Sequence, residues 1–241
     1  MSEPLLTVRK LDAFYGAAQI LFAVDLELRP GEVVALMGRN GAGKTTTIES
    51  IMGLVARRSG SAVFRGHELI RLRPYEIVRL GLGFVPEDRR IFSDLTVLEN
   101  LEVGRRSKTT SSGATAETWT PERLFHLFPN LAEARNRLAG RMSGGEQQML
   151  TIARTLMGNP LAILLDEPSE GIAPIIVEQM IGMISRLKQA GVAILVSEQN
   201  LPFAAAVADR AYILEHGQVR YSGDMQSLAA NEDLKRAYLE L

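Results

Sequence analysis

One short segment constrains this chain more than any other. Gly38-Arg39-Asn40-Gly41-Ala42-Gly43-Lys44-Thr45 fits G-x-x-x-x-G-K-[ST], with the apolar run Val33 to Met37 directly before it and Ile48, Ile51 and Met52 at helical spacing after it. A buried strand feeding a glycine-rich turn that opens a helix is a phosphate cradle. Glycines let backbone N–H groups curl around phosphate oxygens, and the helix N-terminus favours the anion. Lys44 can then reach the outer phosphates and Thr45 can ligate Mg²⁺. A chance glycine-rich turn is the bland alternative, and the strand before and helix after disfavour it.

Such a loop needs a carboxylate for the metal. Asp166 ends a second apolar run, Leu161 to Leu165, where parallel sheets place their ligands. Glu167 follows at once and can orient or deprotonate an attacking water. Val192 to Val196 is a third apolar run, as expected of strands covered by helices on both faces. By contrast, Val24, Leu26 and Leu28 alternate with Asp25, Glu27 and Arg29 ahead of Pro30-Gly31, the pattern of an antiparallel strand wet on one face. The chain therefore reads as α/β, with an antiparallel region near its start.

Between Thr96 and Gly158 no comparable strand run occurs, while Thr96 to Gly104, Pro121 to Phe128 and Gly144 to Met157 carry helical signals. We expect a helical insertion, with Arg105 to Thr118, rich in Ser, Thr, Gly and charge, as an exposed and mobile loop. Ser143 and Glu146 have capping-box spacing at the start of the last helix. Gly144 and Gly145 in its first turn are poor helix formers, but they leave backbone N–H groups open to an anion. One chain thus offers two phosphate-binding helix ends. Asp224 to Leu241 reads as helix, with no further regulatory domain expected after it.

Composition narrows the rest. With 27 basic and 28 acidic residues, the net charge of -1 gives no global field toward nucleic acid or anionic lipid. The pairs Arg57-Arg58, Arg89-Arg90 and Arg105-Arg106 are scattered and not interleaved with aromatics, so they read as solvated faces. Cysteine is absent and only three histidines occur, which excludes disulfides and thiolate metal sites and disfavours structural zinc. Met1 to Lys10 lacks a signal-peptide layout, and no apolar run approaches the roughly 20 residues of a membrane span. A role at a membrane would need another chain to hold this one there.

These motifs together resemble the ATP-binding cassette (ABC) ATPases, with Walker A, signature and Walker B segments in matching order and spacing over nearly the whole chain. Ser143-Gly144-Gly145-Glu146-Gln147, standing between the phosphate loop and Leu164-Leu165-Asp166-Glu167-Pro168, is specific to that family. The resemblance implies a P-loop NTPase fold over residues 1–241, with a RecA-like parallel core, an antiparallel β region and a helical subdomain at about 94–159. It implies ATP and Mg²⁺ as ligands. ATP would be bound by Gly38, Arg39, Asn40, Gly41, Ala42, Gly43, Lys44, Thr45 and Thr46, with Tyr15 stacking on adenine. Thr45 and Asp166 would hold the metal, Glu167 would act as general base, and Ser143, Gly144, Gly145 and Glu146 would close over ATP held by a second cassette. Ser169 to Pro174 occupies the position of the D-loop, which in that family crosses to the partner's site, and Glu170 and Pro174 depart from its common form.

Two further departures refine the likeness. Glu87 stands at the Q-loop glutamine position, and Gln199 stands in register with the switch histidine. Gln can donate a hydrogen bond to a γ-phosphate oxygen but cannot titrate. The other site residues are present, so we expect an active ATPase with no acid limb from a switch histidine. Pro86-Glu87, Glu198-Gln199-Asn200, Met149-Leu150 after the signature and Gly171-Ile172-Ala173-Pro174 are similar to the second ATP-binding subunit of bacterial branched-chain amino acid importers. Amide and urea importers use close relatives. That resemblance implies a peripheral subunit on the cytoplasmic face of the inner membrane. Its partners would be a second cassette, permease subunits near Arg89 to Thr96 and, indirectly, a periplasmic binding protein, with no nucleic acid. A soluble ABC ATPase of repair or translation, or a non-hydrolysing regulatory module, are the rival readings.

Overall fold

The computed structural model describes residues 3–106 and 118–239. Strands β1 (Leu6–Tyr15) and β2 (Ala18–Leu28) pair antiparallel, with Leu6 opposite Leu28 and Val8 opposite Leu26. Val24, Leu26 and Leu28 are buried while Asp25 is exposed, so the alternation in the sequence is the two-sidedness of this sheet. Strands β4 (Arg57–Phe64) and β5 (His67–Glu68) complete it in the order β2-β1-β4-β5.

The second sheet holds β3 (Val33–Met37), β6 (Leu82–Val85), β7 (Ala162–Asp166), β8 (Ala193–Glu198), β9 (Arg210–Glu215) and β10 (Gln218–Asp224) in the order β10-β9-β3-β8-β7-β6. All its pairings are parallel except β9 with β10. Every residue of β3, β7 and β8 is buried. Val33, Ala35 and Met37 pack into one core and Val34 and Leu36 into another, on the opposite face. This is the physical reason for the uninterrupted apolar runs: both faces of the sheet are covered. One face is covered by helix α1 (Lys44–Ile51) and the antiparallel sheet, through Ile48, Ile51, Val24 and Leu26. On the other lie α6 (Gly144–Leu156), α7 (Pro174–Gln189) and α8 (Leu201–Val207), through Met149, Ile152, Met183, Ile184 and Phe203.

The remaining helices are α2 (Pro74–Arg79), α3 (Val97–Gly104), α4 (Pro121–Leu127), α5 (Pro129–Glu133), α9 (Met225–Ala229) and α10 (Glu232–Tyr238). Helices α3 and α4 begin where Thr96 and Thr120 accept from the backbone N–H groups of Glu99 and Arg123. Between β6 and β7 the described elements are all helical, α3 to α6 and a 3-10 turn at Ala139–Arg141. The expected mobile loop at Arg105 to Thr118 has its residues 107–117 outside the described residues. The C-terminal stretch is helical, as two helices, because Asn231 caps a new start by accepting from Leu234 N. Among the described residues no helix is long and apolar enough to cross a membrane.

Candidate functional site

Parallel register decides where the chemistry gathers. Met37 of β3 is level with Glu198 of β8, and Asp166 of β7 is level with Ser197, so the carboxyl ends of three neighbouring strands finish on one line. The phosphate loop leaves β3 there, at the edge where open α/β sheets bind ligands. Gly38, Gly41 and Gly43 all have positive φ. A Cβ on Gly38 would lie 2.4 Å from the Leu214 carbonyl oxygen, a backbone clash that only glycine avoids. Arg39, Asn40 and Gly41 are exposed at the rim, while Ala42, Gly43 and Lys44 are buried.

Lys44 Nζ donates to the carbonyls of Gly38 (2.8 Å) and Arg39 (3.1 Å) and pairs with Glu167 Oε1 at 3.1 Å. Thr45 Oγ1 donates to Asp166 Oδ1 at 3.2 Å, which also accepts from Ser197 Oγ at 2.5 Å. Burial raises the Asp166 carboxyl above its ordinary range, against the pull of the two hydroxyls. Glu167 adopts a left-handed backbone, φ +43, with its N–H donating to the Ser197 hydroxyl and carbonyl. Such a conformation outside glycine is held only where surroundings over-determine it. Gln199 Nε2 donates to Glu167 Oε2 (2.8 Å) and to Asn40 Oδ1 (2.6 Å), bridging the loop rim to the carboxylate. Lys44, Asp166, Glu167, Thr45 and Gln199, scattered through the sequence, thus form one contact network. Its hydroxyl, carboxylates and cation can bind phosphate, hold a hard metal ion and accept a proton from water.

Tyr15 ends β1, half exposed, with its hydroxyl donating to Glu49 Oε2 at 2.9 Å. Its ring therefore stands beside α1, the helix that follows the loop. Glu87 is exposed just beyond the end of β6, near enough to raise both Asp166 and Glu170. Ser143 to Glu146 is built from other neighbours. Ser143 and Glu146 form the expected capping box, and Arg137 pairs with Glu146 at 3.6 Å. Gly145 packs on Ile176 of α7, and the Arg89 guanidinium lies across Gly144, where a Cβ would meet Nη1 at 2.6 Å.

Sequence reasoning passed over four contributors. Ser197 bonds Asp166 and Glu167 together, Glu198 is a buried carboxylate, and Arg89 is tethered beside the signature by Thr151 Oγ1 donating to its carbonyl (2.6 Å). Only the polar residues ending an apolar strand hinted at the first two. Glu170 is a fourth. Its hydrogen bond to Glu167 and partial burial push its carboxyl up to about 7, while burial of Glu167 is outweighed by Glu170, Gln199 and Lys44, which hold that carboxyl down. A raised folded-state value means stabilisation that is full below the ordinary carboxylate range and lost as pH rises through about 7. A Glu170→Gln chain keeps a donor to Glu167 without a titration, so between about pH 4.5 and about pH 7 its Tm is expected to fall less than that of the unaltered chain. Thermal unfolding across that range checks this; equal falls in the two chains would contradict it.

Residues 21–170 match the family model described as ABC transporter. The chain is 42% identical over 235 residues to the high-affinity branched-chain amino acid transport ATP-binding protein BraG of Pseudomonas aeruginosa, covering 98% of this chain and 99% of that one. It is 34% identical to the lipopolysaccharide export system ATP-binding protein LptB of Haemophilus influenzae, covering 98% and 97%. Among solved structures, an ATP binding subunit of an ABC transporter aligns with a TM-score of 0.80 at 30% identity, covering 98% of this chain and 96% of that one.

Proposed function

This chain belongs to the ABC transporter family and is an ATPase subunit of it, and we propose that it energises an importer of branched-chain or related amino acids. The observation that carries this reading is the 42% identity to BraG across nearly the full length of both chains. The Pro86-Glu87 and Glu198-Gln199-Asn200 departures noted above support the same subfamily.

In the reaction, the amides of Gly38 to Thr46 and the Lys44 ammonium hold the β- and γ-phosphates, and Tyr15 carries the adenine. Thr45 and Asp166 suit Mg²⁺: a hydroxyl 3.2 Å from a single carboxylate leaves room for phosphate oxygens and waters, the hard-oxygen set this ion takes. Bound there, Mg²⁺ would neutralise charge developing on the phosphate oxygens. Glu167 accepts the proton of a water whose oxygen attacks the γ-phosphorus, while the bond to the β-phosphate oxygen breaks to leave ADP and inorganic phosphate. Lys44 must leave Glu167 for the phosphates as ATP enters, which frees that carboxylate to act. Gln199, whose two Nε2 hydrogens serve Asn40 and Glu167, then gives up the bond to Glu167 to donate to a γ-phosphate oxygen. Ser143 to Glu146 close over ATP on a second cassette, with Glu87 facing the same nucleotide region from the Q-loop. Residues 94–159 act as the helical subdomain, and the segment Arg89 to Thr96 receives permease subunits on the cytoplasmic face of the inner membrane. A periplasmic binding protein supplies the cargo indirectly.

A second reading rests on the 34% identity to LptB, an export-system subunit. Uptake of labelled leucine, isoleucine, valine and urea by native cells with and without this chain separates the readings. Loss of leucine, isoleucine and valine uptake alone is expected. Loss of urea uptake alone would move the assignment to amide or urea import, and intact uptake with depleted surface lipopolysaccharide would move it to export.

A further inference from the structure

Glu198 is the one fully buried carboxylate in the site that the reaction above does not use. It ends β8 at 2% exposure, and among the described residues no Lys, Arg or His pairs with it. Its partners are backbone amides on two different loops, together with the Ser169 hydroxyl. Oε1 accepts from Ser169 N at 3.1 Å, and Oε2 accepts from Gln199 N and from Asn200 N, both at 3.2 Å. Ser169 opens the D-loop segment Ser169 to Pro174, whereas Gln199 is the residue that spans Asn40 and Glu167.

We propose that Glu198 is a positioning residue that ties the D-loop to Gln199, so that occupancy of this chain's own phosphate site is relayed to the loop facing the second cassette. The proposal rests on the paired-cassette reading above. Burying a carboxylate without a cation costs free energy that an apolar side chain would not, so packing alone is a poor account of it. Capping of α8 explains only one half of its bonds, since Asn200 already caps that helix by accepting from Phe203 N at 3.0 Å. All of its backbone partners are donors, on both sides, and a carboxylate is the side chain that accepts on both sides. Gln would turn an NH₂ toward one set of N–H groups, and Asp would fall a methylene short of one loop. Ionised acceptors also make stronger bonds to backbone N–H groups than neutral ones do. When a γ-phosphate displaces the Gln199 side chain from Glu167, movement of the Gln199 backbone is therefore carried through one rigid group to Ser169.

The test uses purified full-length chain and ATP hydrolysis. Glu198→Gln is expected to lower kcat about 10- to 100-fold with the KM for ATP nearly unchanged, and Glu198→Asp to fall between. A merely structural role would lower Tm and leave kcat per folded molecule alone, which would overturn the proposal. The sharper readout is a mixing series in which Glu167→Gln chain is titrated against active chain. If the two sites communicate, the rate of the unaltered chain falls with the square of the active fraction. With Glu198→Gln in both components, the residual rate falls linearly instead. Identical squared curves would overturn the role of Glu198 while leaving the paired-cassette reading intact. A linear curve for the unaltered chain would overturn communication between paired sites, and the proposal with it.

Discussion

Replacing Glu167 by Gln is expected to lower ATP turnover about 10²- to 10⁴-fold, the usual contribution of a positioned general base, while ATP binding is retained. The amide keeps the size of the side chain and can still accept from Gln199, but it cannot take a proton from water. Lys44 loses its counter-ion in this variant, yet its ammonium still has the Gly38 and Arg39 carbonyls, so the phosphate loop keeps its shape. Equilibrium binding of a fluorescent ATP analogue beside steady-state hydrolysis separates the two effects. Turnover within about threefold of the unaltered chain would remove Glu167 from the base role, since threefold is only about 0.6 kcal/mol of barrier against about 2.7 kcal/mol for a 10²-fold effect.

Lys44→Ala has the second large effect, and it acts in two places. In the bound state it removes the cation on the outer phosphates, for which a loss of at least about 10²-fold in turnover is expected, by analogy with deleting one pre-organised donor. It also takes from Glu167, 8% exposed, the cation it pairs with at 3.1 Å. Breaking a buried pair of this kind costs about 3 kcal/mol, at the low end because Gln199 still donates to the carboxylate. Adding Glu167→Gln to Lys44→Ala should restore most of the lost stability, because the orphaned charge is gone. Chemical denaturation of the two single variants and the double variant closes the cycle. Additive losses would mean that Lys44 and Glu167 are not energetically coupled.

How much of this was legible beforehand follows from the range over which each signal acts. The phosphate loop, Asp166 and the Ser143 cap are local: residue types at fixed spacing dictate strand, turn and helix start, and the structure forms β3, β7, α1 and α6 where those signals lie. Strand β6 was not read as one because Gly83 interrupts it, and that glycine is needed where Thr155 presses within 2.8 Å of the space a Cβ would fill. Strand β9 was masked by its charged ends, Arg210 and Glu215, of which Arg210 is tied to Glu32. The polar run Ser197-Glu198-Gln199-Asn200 looks like an exposed loop in sequence, yet its first two residues are buried strand. Their partners lie some thirty positions away at Asp166 and Ser169, a pairing set by the β7–β8 register alone. Local pattern cannot reveal contacts of that kind. The same holds for Gln199: its register with a switch residue was readable, but its bridge from Asn40 to Glu167 exists only once β3, β7 and β8 lie side by side.

The central claim is that hydrolysis at Glu167 of this chain drives amino-acid import. Uptake of labelled leucine by native cells carrying Glu167→Gln in place of the unaltered chain, at equal amounts in the membrane fraction, tests it most directly. The account predicts that leucine uptake collapses although the variant remains on the membrane. Leucine uptake equal to that of the unaltered chain would contradict it.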